Sequence, residues 1–201
     1  MSEPSDVFLP HGGYRKLRSY RLAEVVFDAT VVFCDRFIRK GSRTHDQMVQ
    51  AARSGVRNIS EGSGLAATSR KLEMNLTNVA RASLSDELLP DFESFLRQIG
   101  LELWPKDSRK TLVMRERLRD ELVPGLPPAY PDRPRCDGLA NFTSFIAHTD
   151  AEVAANAMIC LIHQTIFLLR GQLRSQEKTF LNQGGFSENL LRQRQNQRRK
   201  D

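Results

Sequence analysis

The sequence predicts an all-α protein, an antiparallel four-helix bundle with a C-terminal helical extension. Apolar residues recur at steps of three and four through most of the chain, which places them on one face of successive helices. No stretch of useful length alternates apolar and polar residues as a half-buried strand would. The 201 residues suffice to bury one hydrophobic core, so we expect one domain with an appendage.

The first two helices are predicted to follow one another with a short turn. The first runs from Ser19 to about Lys40, and Gly41 ends it. Thr44 is the predicted N-cap of the second helix. Small side chains let helix axes approach closely, so we expect the second helix in the middle of the bundle. Its apolar stripe consists mostly of small residues, namely Met48, Ala51, Ala52, Gly55, Val56 and Ile59.

The third helix is predicted to begin after Thr68 or Ser69 and to meet a proline. The apolar pattern continues beyond that proline until Gly100. A proline inside a helix removes one hydrogen bond and clashes with the preceding turn. We therefore expect a kinked long helix, or two helices that meet at Leu89 and Pro90.

Three further helices are predicted in the C-terminal half. A short charged helix covers about 108–122, and five prolines mark 123–138 as a connector without regular structure. The most apolar helix runs from about 150 to 176, and a last short helix begins at Ser187 and Glu188. The predicted divisions are a basic segment (1–18), the bundle with its insertions (19–178) and a short helix with a basic tail (179–201).

Composition indicates which environments and partners to expect. Thirty Lys and Arg residues against twenty-four Asp and Glu residues give a formal charge of +6, which favours polyanionic partners. Cys34, Cys136 and Cys160 show neither a disulfide framework nor a metal-ligand spacing. The N-terminus lacks an apolar signal core, and no apolar run is expected to cross a membrane. We therefore expect a cytoplasmic protein.

The stretch VRNISEGSG at 56–64 ends the helical periodicity with an amide, a carboxylate and two glycines. In a structural interpretation, Asn58 and Glu61 hydrogen-bond to neighbouring helices, while Gly62 and Gly64 give the backbone freedom at the helix end. Two alternatives remain. One is a catalytic Glu61 with Ser60 or Ser63 as nucleophile, and the other is a contact with a partner chain or polynucleotide through Arg53 and Arg57.

The sequence contains no motif that requires catalysis, a metal or a cofactor. His45, His148 and His163 are not spaced as metal ligands, and His163 lies in an apolar stripe, where a core or interface role is expected. The GSG at 62–64 lacks the Lys and Ser or Thr of a phosphate-binding loop. We therefore expect no enzyme activity.

Basic residues concentrate in two places, around the start of the first helix and near the C-terminus, and Arg53 with Arg57 in the second helix are further candidates for nucleic-acid binding. Tyr14 and Tyr20 interleave the first cluster and are able to stack on unpaired bases. A solvated helix face and a disordered, solubilising tail are the alternative interpretation. The candidates are Arg15, Lys16, Arg18 and Arg21 before and in the first helix, Arg53 and Arg57 in the second, and Arg192, Arg194, Arg198 and Arg199 near the end, followed by Lys200.

The second and third helices carry a sequence signature. QMVQAARSGVRNISEGSG and LTNVARASLSDEL resemble the signature of the bacterial four-helix-bundle family encoded in intervening sequences of large-subunit ribosomal RNA genes. That family includes the accessory variability determinant of diversity-generating retroelements. Gln50 and Asp86 depart from it, where Arg and Glu are expected. The matching positions are Gln47, Ser54, Asn58, Ile59, Glu61, Gly62, Leu76, Ala80, Ser83 and Leu84.

The resemblance covers about 20–96, and residues 100–201 resemble a suffix domain found in a subgroup of the family. It implies a cyclic homo-oligomer, expected to be a pentamer. In the retroelement branch it implies a basic surface that binds nucleic acid and a reverse transcriptase. The expected function is thus a non-catalytic adaptor that binds DNA or RNA and a nucleic-acid-processing enzyme. The alternative is a structural scaffold for a protein partner.

Overall fold

The computed structural model of the chain describes residues 13–120 and 139–199. All regular structure in these ranges is helical and no strand occurs in them, so the all-α class is confirmed. The predicted connector at 123–138 lies outside the described residues. A 3-10 turn at Tyr14–Lys16 precedes the α-helices, which are α1 (Arg18–Phe37), α2 (Arg43–Leu65), α3 (Arg70–Ala82), α4 (Leu89–Gln98), α5 (Arg109–Asp120), α6 (Leu139–His148), α7 (Ala151–Gln183) and α8 (Phe186–Arg198).

The turn between α1 and α2 differs from the prediction at both of its helix ends. α1 ends at Phe37 and Ile38 is already extended, so the prediction that Gly41 ends the helix was wrong. Gly41 adopts a φ of 75°, a conformation that glycine favours. Ser42 caps α2, because its Oγ accepts a hydrogen bond from the backbone N–H of His45 at 3.2 Å. The prediction that Thr44 is the cap was wrong, since Thr44 lies in the first turn of α2. Both residue types cap helices well, so local pattern alone does not separate them.

α2 and α3 approach closely at Gly62. A Cβ atom built there would lie 3.1 Å from the carbonyl oxygen of Glu73 and 3.2 Å from the Cβ of Leu76. At Gly55, a Cβ atom would lie 2.8 Å from Cδ2 of Leu84, which follows α3. The small residues of α2 therefore permit the close helix contact that the sequence predicts.

The predicted break at Pro90 takes the form of a change in helix geometry. α3 begins where expected, after Ser69, whose Oγ accepts a hydrogen bond from the N–H of Leu72 at 3.3 Å. A π-helical segment, Ser83–Leu88, then joins α3 to α4, and the N–H of Leu89 bonds to the carbonyl of Leu84. Proline cannot supply the hydrogen bond that a regular α-helix requires, and a π-turn is one known way to accommodate such a defect.

α7 contacts α1, α3, α4 and α5. Asp150 caps it by accepting a hydrogen bond from the N–H of Val153 at 2.9 Å, and the helix extends to Gln183, seven residues beyond the predicted end. All residues at 154–162 are buried, and only beyond them is burial confined to one side of the helix, at Thr165, Ile166 and Leu169. α7 therefore forms the centre of the hydrophobic core.

α6 is a helix that the sequence analysis did not predict. Its Phe142 and Ile146 are buried, and the helix packs against α1. The guanidinium of Arg36, at the end of α1, donates hydrogen bonds to the carbonyl oxygens of Ile146 and Thr149, the latter at 2.9 Å. These contacts lie far apart in sequence, which explains why a ten-residue helix after a proline-rich stretch escaped local pattern analysis.

Hydrogen bonds between distant residues fix how the long helices lie together. Ser19, near the start of α1, donates to Gln172, near the end of α7, at 2.6 Å. The amide nitrogen of Gln176 donates to Thr77 in α3 at 3.1 Å. With the bonds of Arg36 to the α6–α7 turn, these contacts put the start of α1 beside the end of α7, and the end of α1 beside the start of α7.

α7 is long and apolar enough to cross a membrane by length and composition, although the sequence analysis expected no such stretch. The segment is Ala151–Asn182, and 67% of its most apolar window is buried by the rest of the protein. A central core helix of this kind passes the same test, so the finding is weak evidence for a membrane span.

The segment between α4 and α5 is attached to α7 by one asparagine. Asn156, which is 2% exposed, accepts a hydrogen bond from the backbone N–H of Trp104 at 2.8 Å and donates to the carbonyl of Glu102 at 2.8 Å. The indole N–H of Trp104 donates to Glu152 at 2.8 Å. The side chain of Asn156 thus satisfies backbone groups that helix geometry leaves unpaired.

Substitutions at Gly62 and Gly64 of α2 test the close contact with α3. Gly64 has open space around it, so Gly64→Ala is expected to raise the free energy of unfolding by about 0.5–1 kcal/mol through helix propensity. Gly62→Leu is expected to lower it by about 1–3 kcal/mol, because α3 blocks the added side chain. Urea denaturation measures both values, and equal effects would contradict the close approach.

Replacement of Asn156 tests the attachment of the segment at 101–104. Asn156→Ala leaves the N–H of Trp104 and the carbonyl of Glu102 without their partner, and is expected to lower the free energy of unfolding by about 1–3 kcal/mol per unsatisfied group. Trp104 is the only tryptophan in the sequence, so its fluorescence reports unfolding. Asn75→Ala, at an exposed position of α3, is the control, expected within about 0.5 kcal/mol.

Candidate nucleic-acid interface

The structure brings basic candidates from two different helices into a common groove. Arg21 of α1 and Arg57 of α2 line a groove of about 710 Å³, together with Tyr14 and Tyr20. The two arginines are 36 positions apart in sequence, and the packing of α1 on α2 brings them to the same groove. We call this set of four residues the tyrosine–arginine groove.

The two tyrosines contact one another. Their ring centroids are 4.7 Å apart with an interplanar angle of 74°, an edge-to-face arrangement that aromatic pairs favour. The guanidinium carbon of Arg15 lies 5.8 Å from the ring centroid of Tyr14. Burial, and a hydrogen bond to the carboxylate of Glu24, raise the pKa of Tyr20 to about 12. The Tyr20 hydroxyl therefore stays protonated and acts as a donor at neutral pH.

Carboxylates balance much of the positive charge of the groove. Glu24 and Asp28, on the same helix as Arg21, also line it. Two arginines against two carboxylates leave little net charge inside the groove. Arg15, whose guanidinium lies beside the Tyr14 ring, and Arg21 are both exposed.

Lys16 and Arg18 line a different hollow from Arg21. This second hollow, of about 440 Å³, also includes Glu73 and Gln176. The Nε2 of Gln176 donates to Glu73 at 3.0 Å. Burial raises the pKa of Glu73, although Gln176 and Arg70 oppose that shift. The N-terminal basic cluster is thus divided between two depressions.

The C-terminal arginines lie on or next to α8. Arg192, Arg194, Arg198 and Arg199 are exposed, and none of them lines the two hollows described above. The chain is helical as far as Arg198, so the interpretation of a disordered tail was wrong for these residues. The N–H of Gly185 donates to Glu188 at 2.9 Å and so stabilises the start of α8.

The stretch at 56–64 forms the last turns of α2, but neither of its glycines is the residue at which the helix ends. α2 runs through both glycines to Leu65, so the prediction that Gly62 and Gly64 give freedom at the helix end was wrong. Asn58 donates to the carbonyl of Ser54 in its own helix at 2.9 Å, and Glu61 is exposed. Gly62 is a glycine because α3 packs against it, and not because the chain turns there.

The other residues compared with the family signature differ in their exposure and in their hydrogen bonds. Gln47 is exposed and Ser83 is buried. Asp86 accepts a hydrogen bond from Ser85 at 2.6 Å, and Arg81 donates to the same serine at 3.1 Å. These contacts join residues of one continuous helical stretch rather than two different helices.

The other candidate site residues of α2 are Ser60, Ser63 and the exposed Arg53. The Oγ of Ser60 donates to the carbonyl of Arg57 at 2.8 Å, whereas Ser63 is buried. Arg53 and Arg57 are exposed one turn apart on the outer face of α2. Of these two, only Arg57 lines the tyrosine–arginine groove.

A basic stripe on α7 was missed by the sequence analysis. Phe167 is 73% exposed, which is unusual for an aromatic residue. His163 is exposed on the same side, so the core role was wrong, whereas the interface role stays a prediction. The signal was a repeat of polar residues at steps of three and four within the apolar stretch. The exposed stripe contains His163, Phe167, Arg170, Arg174 and Lys178.

The remaining candidates for chemistry are the cysteine thiols and any cluster of metal-binding side chains. Cys34 and Cys160 are buried, and burial raises the pKa of their thiols to about 12 and about 11. Cys136 lies outside the described residues. Across 13–120 and 139–199, no group of three or more His, Cys, Asp or Glu residues is placed to hold a metal ion.

No family model, no curated protein and no solved structure matches this chain.

The substitution Glu73→Gln tests how the half-buried carboxylate in the second hollow affects stability. The pKa of Glu73 is raised, so its folded form is most favoured when protonated, and stability is lost as the pH rises through that pKa. Glu73→Gln is therefore expected to be more stable than the native protein at pH 7, with a difference that vanishes near pH 3. Thermal denaturation across pH 3–8 measures the effect. The exposed Glu61→Gln is the control, and a destabilised Glu73→Gln at pH 7 would contradict the assignment.

Proposed function

We propose that the chain is a non-catalytic, oligomeric adaptor that binds nucleic acid through the tyrosine–arginine groove. The observation that supports this proposal is the convergence of Arg21 and Arg57 with Tyr14 and Tyr20, since these residues come from separate parts of the sequence. Arginine pairs well with phosphate, and tyrosine rings stack on bases of any sequence. A single strand with unstacked bases is the form that this combination suits best.

The proposed architecture is an antiparallel four-helix bundle with a C-terminal helical extension. Its four members are α1, α2, the continuous stretch from α3 to α4, and α7. The contacts of Ser19 with Gln172 and of Arg36 with Thr149 support opposite directions for α1 and α7. In this arrangement α8 is the extension and lies outside the main packing contacts.

The proposed partners follow from charge and from the resemblance. The exposed arginines of α8 supply a second phosphate contact, sequence-independent and sensitive to salt. The similarity at 20–96 supports a homo-oligomer, with a pentamer as the specific proposal. It also supports an accessory role beside a reverse transcriptase or another nucleic-acid-processing enzyme in the bacterial cytoplasm.

A structural scaffold for a protein partner is the second candidate, and one observation favours it. Leu72 and Val79 lie seven residues apart on α3, on one face of the helix, and each is 46% exposed. Such a face is suited to bind another apolar helix. The mixed charge of the tyrosine–arginine groove is also compatible with a protein partner.

Fluorescence-polarisation titrations with labelled oligonucleotides separate the two candidates. Single- and double-stranded DNA and RNA are titrated from low to physiological salt, with the mass of the protein in solution recorded in parallel. The adaptor proposal predicts binding to single strands that weakens with salt but survives physiological salt. No binding at low salt would contradict it and leave the scaffold.

Substitution of the groove arginines tests the site itself. Arg21→Ala and Arg57→Ala are each expected to weaken binding for all sequences alike and to reduce the salt slope by about 1 per lost phosphate contact. Tyr14→Ala is expected to cost about 1–3 kcal/mol for single strands and less for duplexes. Arg97→Ala, an exposed arginine of α4, is the matched control. Equal losses in Arg97→Ala would contradict a local site.

A further inference from the structure

A third hollow lies on another part of the molecule, between α4, α5, α7 and the segment that joins α4 to α5. Its volume is about 550 Å³, within the range of small-molecule sites. It shares no lining residue with the tyrosine–arginine groove. We call it the Trp104 hollow.

One wall of the Trp104 hollow is apolar and held in place. Leu103, Trp104, Pro105 and Ile159 contribute to this wall. The bonds from Trp104 to Asn156 and to Glu152 fix both the backbone and the ring. A wall fixed in this way loses little conformational freedom when a ligand binds.

Arg115 of α5 gives the Trp104 hollow a positively charged side. Arg115 is half-buried, and its guanidinium makes no hydrogen bond or ion pair within 13–120 and 139–199. A partly desolvated guanidinium gains more from a bound anion than a fully hydrated one does. Lys106 and Glu93 also line the hollow, so its formal charge is one positive unit when His163 is neutral.

The surroundings of His163 favour the neutral form of its imidazole. Desolvation and the neighbouring positive charges of Arg115 and Arg170 lower its pKa, and Glu93 opposes them only in part. Of the two cations that line the hollow, Lys106 is exposed and Arg115 is half-buried, so Arg115 is the one that gains more from a bound anion. The single carboxylate of Glu93 disfavours ligands with several negative charges.

We infer that the Trp104 hollow binds a small organic monoanion with a flat apolar body, whose carboxylate, phosphodiester or sulfonate group pairs with Arg115. The ring system lies against the wall of Leu103, Trp104 and Ile159, and the anionic group lies toward α5. This inference does not depend on nucleic-acid binding, because it concerns different residues and a different class of ligand.

The single tryptophan makes the test specific. In a ¹⁵N-labelled protein, one indole N–H resonance belongs to Trp104, so its chemical shift reports occupation of this hollow alone. The probes are naphthalene-1-sulfonate, neutral 1-naphthalenemethanol and cationic 1-naphthylmethylammonium. We expect saturable shifts with the sulfonate, binding at least about tenfold weaker for the alcohol, and no saturation with the cation.

Variants of α5 assign the charge preference to one residue. Arg115→Gln is expected to weaken sulfonate binding about tenfold while alcohol binding stays the same, and Arg115→Lys is expected to retain most of the preference. Arg117→Gln, a half-buried arginine of the same helix that does not line the hollow, is the control. The full indole and backbone spectrum of each variant shows that it is folded.

The inference is overturned by any of three results. These are the absence of an indole shift with all probes, equal affinity for the sulfonate and the alcohol, and sulfonate binding that Arg115→Gln leaves unchanged. Loss of oligonucleotide binding in the groove variants has no bearing on these results, so this inference and the proposed function fail separately.

Discussion

The close approach of α2 to α3 is the constraint on which the rest of the structure depends. At Gly62 the two helices leave no room for a larger side chain, and Leu84 fills the equivalent space at Gly55. This contact fixes the rotation of α2 about its own axis. With the small residues turned inward, Arg53 and Arg57 face solvent, and Arg57 comes beside Arg21 of α1. A packing requirement thus determines where the basic residues lie.

Polar contacts complete the attachment of the outer segments to the central helix. Asn156 of α7 satisfies the backbone around Trp104, and Arg36 of α1 satisfies carbonyl groups at the turn from α6 to α7. Buried polar groups without partners are costly, so each such contact restricts the chain to one arrangement. The bonds of Asn156 also fix the position of Trp104, which forms part of the wall of the Trp104 hollow.

Local pattern was sufficient for much of the fold. The stripe of α1, the start of α3 and the small face of α2 all follow from spacing and residue type. The role of Gly62 was predicted wrongly because a glycine has two opposite uses, a helix end and a close helix contact, and only the position of α3 separates them. The convergence of Arg21 with Arg57, and the exposure of His163, also depend on how helices pack, which no local window contains.

The central claim is that Tyr14, Tyr20, Arg21 and Arg57 form a surface that contacts a nucleic acid. Photo-crosslinking tests this most directly, with a single-stranded oligonucleotide that carries 5-iodouridine and with mass spectrometry to locate the adducts. The account predicts adducts on Tyr14 or Tyr20, reduced by unlabelled competitor of any sequence. Adducts confined to α8 or to α7, or none above a control without irradiation, would contradict it.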